Sequence, residues 1–206
     1  MKKKLTESMI MKVLDWSYKK AVDGLPGLDS AEELAQSYLS KSESVDEAID
    51  KLINWQQTKS ITSGVLTGIG GIAMLPIAIP TNISSVLYIQ IRMISAIACM
   101  RGYDLNDDQV KTMVFVALTG QGATEILKKS GVKIGKELAG TLVHKIPIEA
   151  TKAIHKNVGI KLLAKFGEKG IVNFGKIIPI VGGVVGGTVD GIGTRIIGKT
   201  AKKLFK

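Results

Sequence analysis

Eight consecutive residues, Gly193-Thr194-Arg195-Ile196-Ile197-Gly198-Lys199-Thr200, fit the phosphate-binding P-loop expression letter for letter. Chemistry at such a loop needs a strand that delivers the glycine turn and a helix whose first N–H groups point at phosphate. The residues before Gly193 form a glycine-rich helical repeat instead. No α/β core can be assembled around the motif, and nucleotide binding is not expected. Gly68-Ile69-Gly70-Gly71-Ile72-Ala73 loosely resembles a dinucleotide-binding turn. A ribose-binding acid should follow about 20 residues on, where the chain offers Tyr88, Gln90 and Arg92. His144 and His155 are the only histidines, and neither has cysteine or acid neighbours at metal-ligand spacing. Cys99 is the only cysteine, lies in an apolar stretch and reads as a buried thiol in a reducing compartment. No nucleophile stands beside a plausible base. The expectation is a protein with no catalytic residues, no cofactor and no metal.

What remains is charge and apolar patterning. The net charge is +10 over 206 residues. Residues 1–103 hold 11 Lys/Arg against 10 Asp/Glu, whereas residues 104–206 hold 17 against 8. Such asymmetry calls for an anionic partner. Residues 126–176 carry 11 lysines and three acids, with Lys152 and Lys156 spaced by four and Lys161, Lys165 and Lys169 likewise. These lysines sit above Ile154, Leu162, Leu163 and Phe166, the pattern of a helix lying at a lipid headgroup surface. Two aromatics, Phe166 and Phe174, and no arginine in the segment argue against nucleic acid, which would want more stacking rings and bidentate contacts.

Three charges, Arg92, Glu125 and Asp190, border or interrupt apolar stretches and are expected to be buried and paired, fixing helix register. From Ser60 to Ile91 the chain has 32 residues without a formal charge, interrupted by Pro76 and Pro80. This stretch reads as an apolar helix near 60–74, a corner, and a second helix near 82–100. It is either a hairpin entering a bilayer or the centre of a bundle. A second apolar hairpin, near 177–195, is marked by Gly182 and Gly186 and by Gly183, Gly187 and Gly191. Their four-residue spacing allows close approach of helix backbones.

The elements that must position these residues are helices. Mean hydropathy is +0.21, apolar residues seldom alternate, and β-branched runs are broken by glycine, so strand signals are poor. An amphipathic helix is predicted over 4–22, then a turn at Leu25-Pro26-Gly27. Helices near 31–40 and 45–59 follow, each opened by a capping box, Ser30 with Glu33 and Ser44 with Glu47. One helix is predicted near 107–129, and a short basic one from Arg195 to Lys206. The Met-Lys-Lys-Lys start is followed by Glu7, Lys12 and Asp15, so a secretory signal is not expected. The fold class is all-α: an N-terminal amphipathic helix over 1–24, then a single-domain helical bundle over 25–206 containing both Gly/Pro-marked hairpins.

Several stretches carry a resemblance. Leu25-Pro26-Gly27 with Ser30-Ala31-Glu32-Glu33-Leu34-Ala35, Trp55-Gln56, Leu75-Pro76-Ile77-Ala78-Ile79-Pro80, Gln90-Ile91-Arg92-Met93, Arg101-Gly102-Tyr103-Asp104, Phe166-Gly167-Glu168-Lys169-Gly170 and Pro179 through Asp190 resemble, in order, the bacterial EcsC family. The proline-rich hairpin, the Gln-Ile-Arg-Met stretch and the glycine-rich C-terminal part also resemble the membrane-associating domain appended to some bacterial Era-like GTPases. The resemblance implies membrane association and supplies no activity. The leading expectation is a non-enzymatic, cytoplasmic-facing helical protein that docks on anionic membrane lipid and can insert its hairpins at the inner membrane. Two alternatives stand beside it. One is a pore-forming or membrane-perturbing protein that oligomerises through its glycine zipper. The other is a soluble adaptor acting with a membrane transporter or another partner protein.

Overall fold

A computed structural model describes residues 5–61, 81–133, 143, 146–166 and 185–206, with backbone alone at 59–61, 81–82 and 185–192. Eight α-helices and one 3-10 turn make up the described residues, with no strand among them.

Local chemistry sets most helix ends. α1 (Glu7–Asp23) is capped by Thr6, whose hydroxyl accepts from the Met9 amide, and it ends at Gly24 with φ +83°. Its buried positions, Ile10, Val13, Leu14, Ser17, Tyr18 and Ala21, follow the i, i+3, i+4, i+7 pattern of a core-facing stripe. The predicted start at residue 4 was too early: Leu5 precedes the helix and packs partly buried against the core. A turn follows, closed by the Leu28 amide donating to the Leu25 carbonyl at 2.9 Å.

α2 (Ala31–Leu39) opens with the full capping box: the Glu33 amide donates to the Ser30 hydroxyl, and the Ser30 amide to the Glu33 carboxylate. At α3 (Val45–Ile61) only half of the predicted box forms. The Glu47 amide donates to Ser44 Oγ, but the Glu47 carboxylate accepts from the Glu43 amide, one residue further out.

α4 (Thr81–Met100) closes with a Schellman turn. The Tyr103 amide reaches the Ala98 carbonyl, and the Gly102 amide reaches that of Cys99. The single helix predicted over 107–129 is instead two. α5 (Asp108–Ala117) and α6 (Ala123–Lys129) are separated by the 3-10 turn Gly120–Gly122. Gly120 adopts φ +57°, and a β-carbon there would stand 3.1 Å from Ile196 Cγ2. Both the left-handed backbone and the neighbour disfavour a residue with a β-carbon, and apolar periodicity alone carries no trace of either. α7 (Ile148–Phe166) starts after Pro147, and α8 (Val185–Leu204) runs unbroken through the predicted basic tail.

α4 is the central helix, touched by α1, α2, α3, α5 and α8. Leu87, Tyr88, Ile91, Met93, Ile94, Ala96, Ile97 and Ala98 are fully enclosed. Its stretch Ile83–Met100 is long and apolar enough to cross a bilayer, with mean hydropathy 1.6, yet 78% of it is buried. α3 lies along α8, and α7 packs on α1, α5 and α6. α1 shares the core that the other helices build, so the turn at 24–28 separates two helices and not two cores. The first limb of each predicted hairpin lies outside the described residues, together with Pro76, Pro80, Gly182 and Gly183.

Candidate functional site

α7 is held in place by its buried stripe, Ala150, Ile154, Val158, Gly159 and Leu162. A β-carbon at Gly159 would stand 2.8 Å from Glu7 Cγ, which measures how closely α7 and α1 approach. This packing fixes what α7 turns outward. Ile148, Lys152, Lys156 and Ile160, spaced by four, are all exposed, and Ala153 and Ala164 lie beside them. Ile148 is 80% exposed and Ile160 47%. Trp55 is the third large hydrophobic residue exposed among the described ones, so two of the three stand on one ridge. Neither Lys152 nor Lys156 forms an ion pair among the described residues.

The predicted lysine stripe is therefore real only in part. Lys161 is exposed but reaches Glu125 at 3.2 Å, and Lys165 is half-buried with its ammonium 5.2 Å from the Phe166 ring centre. Lys169 lies outside the described residues.

Two of the three expected buried charges can be placed. Glu125 is not buried: its side chain is 50% exposed and pairs with Lys129 at 2.8 Å as well as with Lys161. Hydrogen bonds from these two lysines hold its carboxyl below the ordinary range. The turn at 120–122 ends α5 and starts α6 afresh, so the apolar periodicity of 108–117 does not carry through to residue 125. Arg92 is buried at 8% exposure, but no carboxylate stands within ion-pair distance among the described residues. Its guanidinium donates to the Asp29 carbonyl at 3.0 Å and lies 5.8 Å from the Tyr88 ring centre, while Nε has no acceptor among the described residues. The side chain of Asp190 lies outside the described residues.

The P-loop letters fall inside α8, in continuous helix from Val185 to Leu204. With no loop there, the backbone N–H groups of 193–200 are not presented to a phosphate. Gly183 lies outside the described residues, and Gly187 and Gly191 are described by backbone alone; close helix contact is found at Gly198. A β-carbon there would meet Ile53 Cγ1 at 2.7 Å. Gly198 stands seven residues beyond Gly191 and therefore on the same helical face. That spacing was open to reading, but the P-loop letters drew Gly198 into a different motif. Gly186 and Gly187 belong to α8 by backbone alone.

Sequence reading also missed the network that pins the end of α8. Lys202 reaches Asp46 at 3.2 Å and Asp50 at 2.8 Å, and Arg101 reaches Asp46 at 2.7 Å. Burial pulls the Lys202 ammonium down, but the hydrogen bonds and charges of Asp50 and Asp46 outweigh it and leave it above its ordinary value. No sequence signal joins residues 46 and 202.

On α7, His155 is half-buried against α5. His155 Nε2 lies 3.2 Å from Thr112 Oγ1, whose hydroxyl donates to the Asp108 carbonyl, so Nε2 is the donor in this pair. Burial lowers the imidazole pKa, with Asp15, Lys111 and Asp108 the charges around it. Among the described residues no group of three His, Cys, Asp or Glu side chains could hold a metal ion.

A model of the EcsC protein family matches residues 3–206, and the chain belongs to that family. The match includes α1, which lies largely upstream of the motifs that carry the resemblance. No curated protein and no solved structure matches the chain.

Proposed function

We propose that this member of the EcsC family is a non-enzymatic protein of the cytoplasmic membrane surface that docks on anionic lipid through the outward ridge of α7. The observation that carries the reading is the ridge itself. A folded core hides apolar side chains where it can, yet Ile148 and Ile160 stand in solvent, flanking Lys152 and Lys156. Isoleucine side chains that enter the headgroup boundary, with lysine ammonium groups beside lipid phosphate, account for both features at once. A face serving only solubility would mix acids with its lysines, whereas this helix has one acid, Glu149.

Surface docking also leaves the fold intact. Insertion of α4 would require α1 and α2 to leave it, exposing side chains such as Leu87, Ile91 and Ile94 that are now enclosed. No observation among the described residues favours the pore-forming or adaptor readings over docking.

The test is co-sedimentation of the full chain with vesicles. Lys152→Gln/Lys156→Gln should bind vesicles of phosphatidylglycerol in phosphatidylcholine about tenfold or more weakly, since each charge near such a surface contributes about 1 kcal/mol at low salt. Raising salt should shrink the difference. Ile160→Ser should weaken binding on the same vesicles. Parent protein that ignores anionic vesicles at low salt would dismiss the reading.

A further inference from the structure

The roll of α8 about its axis is fixed from several sides. Gly198 lies against Ile53, and Lys202 is held by Asp46 and Asp50. Phe205 is enclosed, 5.3 Å from the Tyr103 ring centre. Thr194, Ile197, Ala201 and Leu204 are buried. The remaining face has no freedom to turn inward. It presents Arg195, Lys199 and Lys203, four residues apart and all exposed. None of the three forms an ion pair among the described residues, whereas Lys202, on the α3-facing side of the same helix, has two carboxylate partners. From Gly191 to Lys206 there is no acid at all.

α8 and α7 both reach one structural feature. A β-carbon at Gly120 would stand 3.1 Å from Ile196 Cγ2 of α8, and one at Gly122 would stand 3.0 Å from Lys161 Cε of α7. The turn 120–122 is thus wedged between the two helices. Lys128 and Lys129 lie on α6 just beyond it, with Glu125 the one acid of that helix. Near the turn, Lys128, Lys129 and Lys161 outnumber Glu125, and the α8 row adds Arg195, Lys199 and Lys203.

We propose that Arg195, Lys199 and Lys203 form a second strip of the bilayer-facing surface, so that α7 and α8 engage phosphate-bearing headgroups together across the turn 120–122. The proposal rests on the docking reading above and adds the element and the residues that complete the surface. It also gives the P-loop letters a different physical content: Gly198 admits α3, and Arg195 and Lys199 meet lipid phosphate. An extended, flat array of point charges with no enclosing loop suits a bilayer surface rather than one small phosphate.

The experiment uses the full chain with Arg195→Gln/Lys199→Gln/Lys203→Gln. A control carries the same charge change on α1, Lys12→Gln/Lys19→Gln/Lys20→Gln. Both are measured by co-sedimentation with phosphatidylglycerol-containing and pure phosphatidylcholine vesicles at low salt, with helicity and melting temperature recorded alongside. At about fivefold per charge, the α8 variant should lose roughly a hundredfold in partitioning on the anionic vesicles, and the α1 variant far less. Lys199→Gln alone should lose about fivefold, which keeps the test available if the triple variant misfolds. Millimolar ATP or glycerol phosphate should not displace the parent protein more than equal ionic strength does. Equal losses in the two triple variants would reduce the effect to net charge and overturn the proposal. Parent-like binding by the α8 variant, with binding lost in Lys152→Gln/Lys156→Gln, would overturn the α8 strip and leave the α7 reading standing. Failure of the parent protein to bind anionic vesicles would remove both.

Discussion

Two glycines in α8 should respond to the same substitution with opposite signs. A helix-interior glycine is less favourable than alanine by about 1 kcal/mol, so Gly→Ala stabilises wherever the new methyl has room. At Gly193 a β-carbon would meet nothing within 4 Å. Gly193→Ala should therefore gain about 1 kcal/mol, which for a chain of this length raises the melting temperature by roughly 2–4 °C. At Gly198 the same methyl would stand 2.7 Å from Ile53 Cγ1 and 3.1 Å from both Cδ1 and Cγ2. Carbon atoms pack at about 3.5–4.0 Å, so the neighbour would have to move by close to an ångström. Ile53 is 3% exposed, sits on α3 and is β-branched, which leaves it a single strongly preferred rotamer. Overpacking of this kind costs about 1–3 kcal/mol. Set against the propensity gain, Gly198→Ala should lose up to about 2 kcal/mol net, a fall of up to roughly 8 °C. Thermal unfolding followed by circular dichroism measures both. Ile53→Ala removes all three clashing atoms, so Gly198→Ala in that background should become neutral or stabilising, and a double-mutant cycle isolates the contact. If Gly198→Ala raised the melting temperature as Gly193→Ala does, the α3–α8 contact would not be the close approach described.

Two further outcomes follow from buried polar groups. Ser84 and Ser95 of α4 are fully buried, and among the described residues their hydroxyls have no hydrogen-bond partner; Ser84→Ala and Ser95→Ala should each stabilise by about 1 kcal/mol in denaturant unfolding, and a loss would reveal a bound partner. His155 has a depressed pKa because burial disfavours the imidazolium. Its stabilising contribution is full above the ordinary imidazole value of about 6.5 and is lost as pH falls towards the folded-state value. Melting temperature should thus fall between pH 7.5 and 5.5, and His155→Gln should flatten that interval while leaving the carboxylate-driven loss at lower pH. An unchanged profile would refute the assignment.

Helix existence was legible along most of the described chain, because caps and periodicity are local signals. Ser30 satisfies the Glu33 amide where its capping box was expected, and Thr6 and Asp107 cap two further helices by the same local chemistry. The break between α5 and α6 was not legible, since it depends on Gly120 meeting Ile196, a contact across 76 positions. Glu125 was misplaced for the same reason: apolar neighbours in sequence suggested burial, and the periodicity of α5 does not carry through to it. Arg92 was rightly read as buried, but its partner is the Asp29 carbonyl rather than a carboxylate, and sequence cannot distinguish the two. On α8, a motif matched by letters concealed Arg195 and Lys199 as surface cations and Gly198 as a contact.

The most apolar described helix is not the one that carries the membrane reading. α4 has bilayer-grade hydropathy, but five neighbouring helices surround it, and a helix enclosed on all sides must be apolar on all sides whether or not lipid is near. Its composition is accounted for by its place in the bundle, so it adds little to an argument for lipid. α7 is less apolar, and folding explains only its inner stripe. Burial of Ala150, Ile154, Val158 and Leu162 gives no reason for Ile148 and Ile160 to stand in water beside Lys152 and Lys156. The informative residues are those that folding leaves unexplained. On this chain they lie on the outward faces of α7 and α8, where lysine, arginine and isoleucine occur and acids are nearly absent.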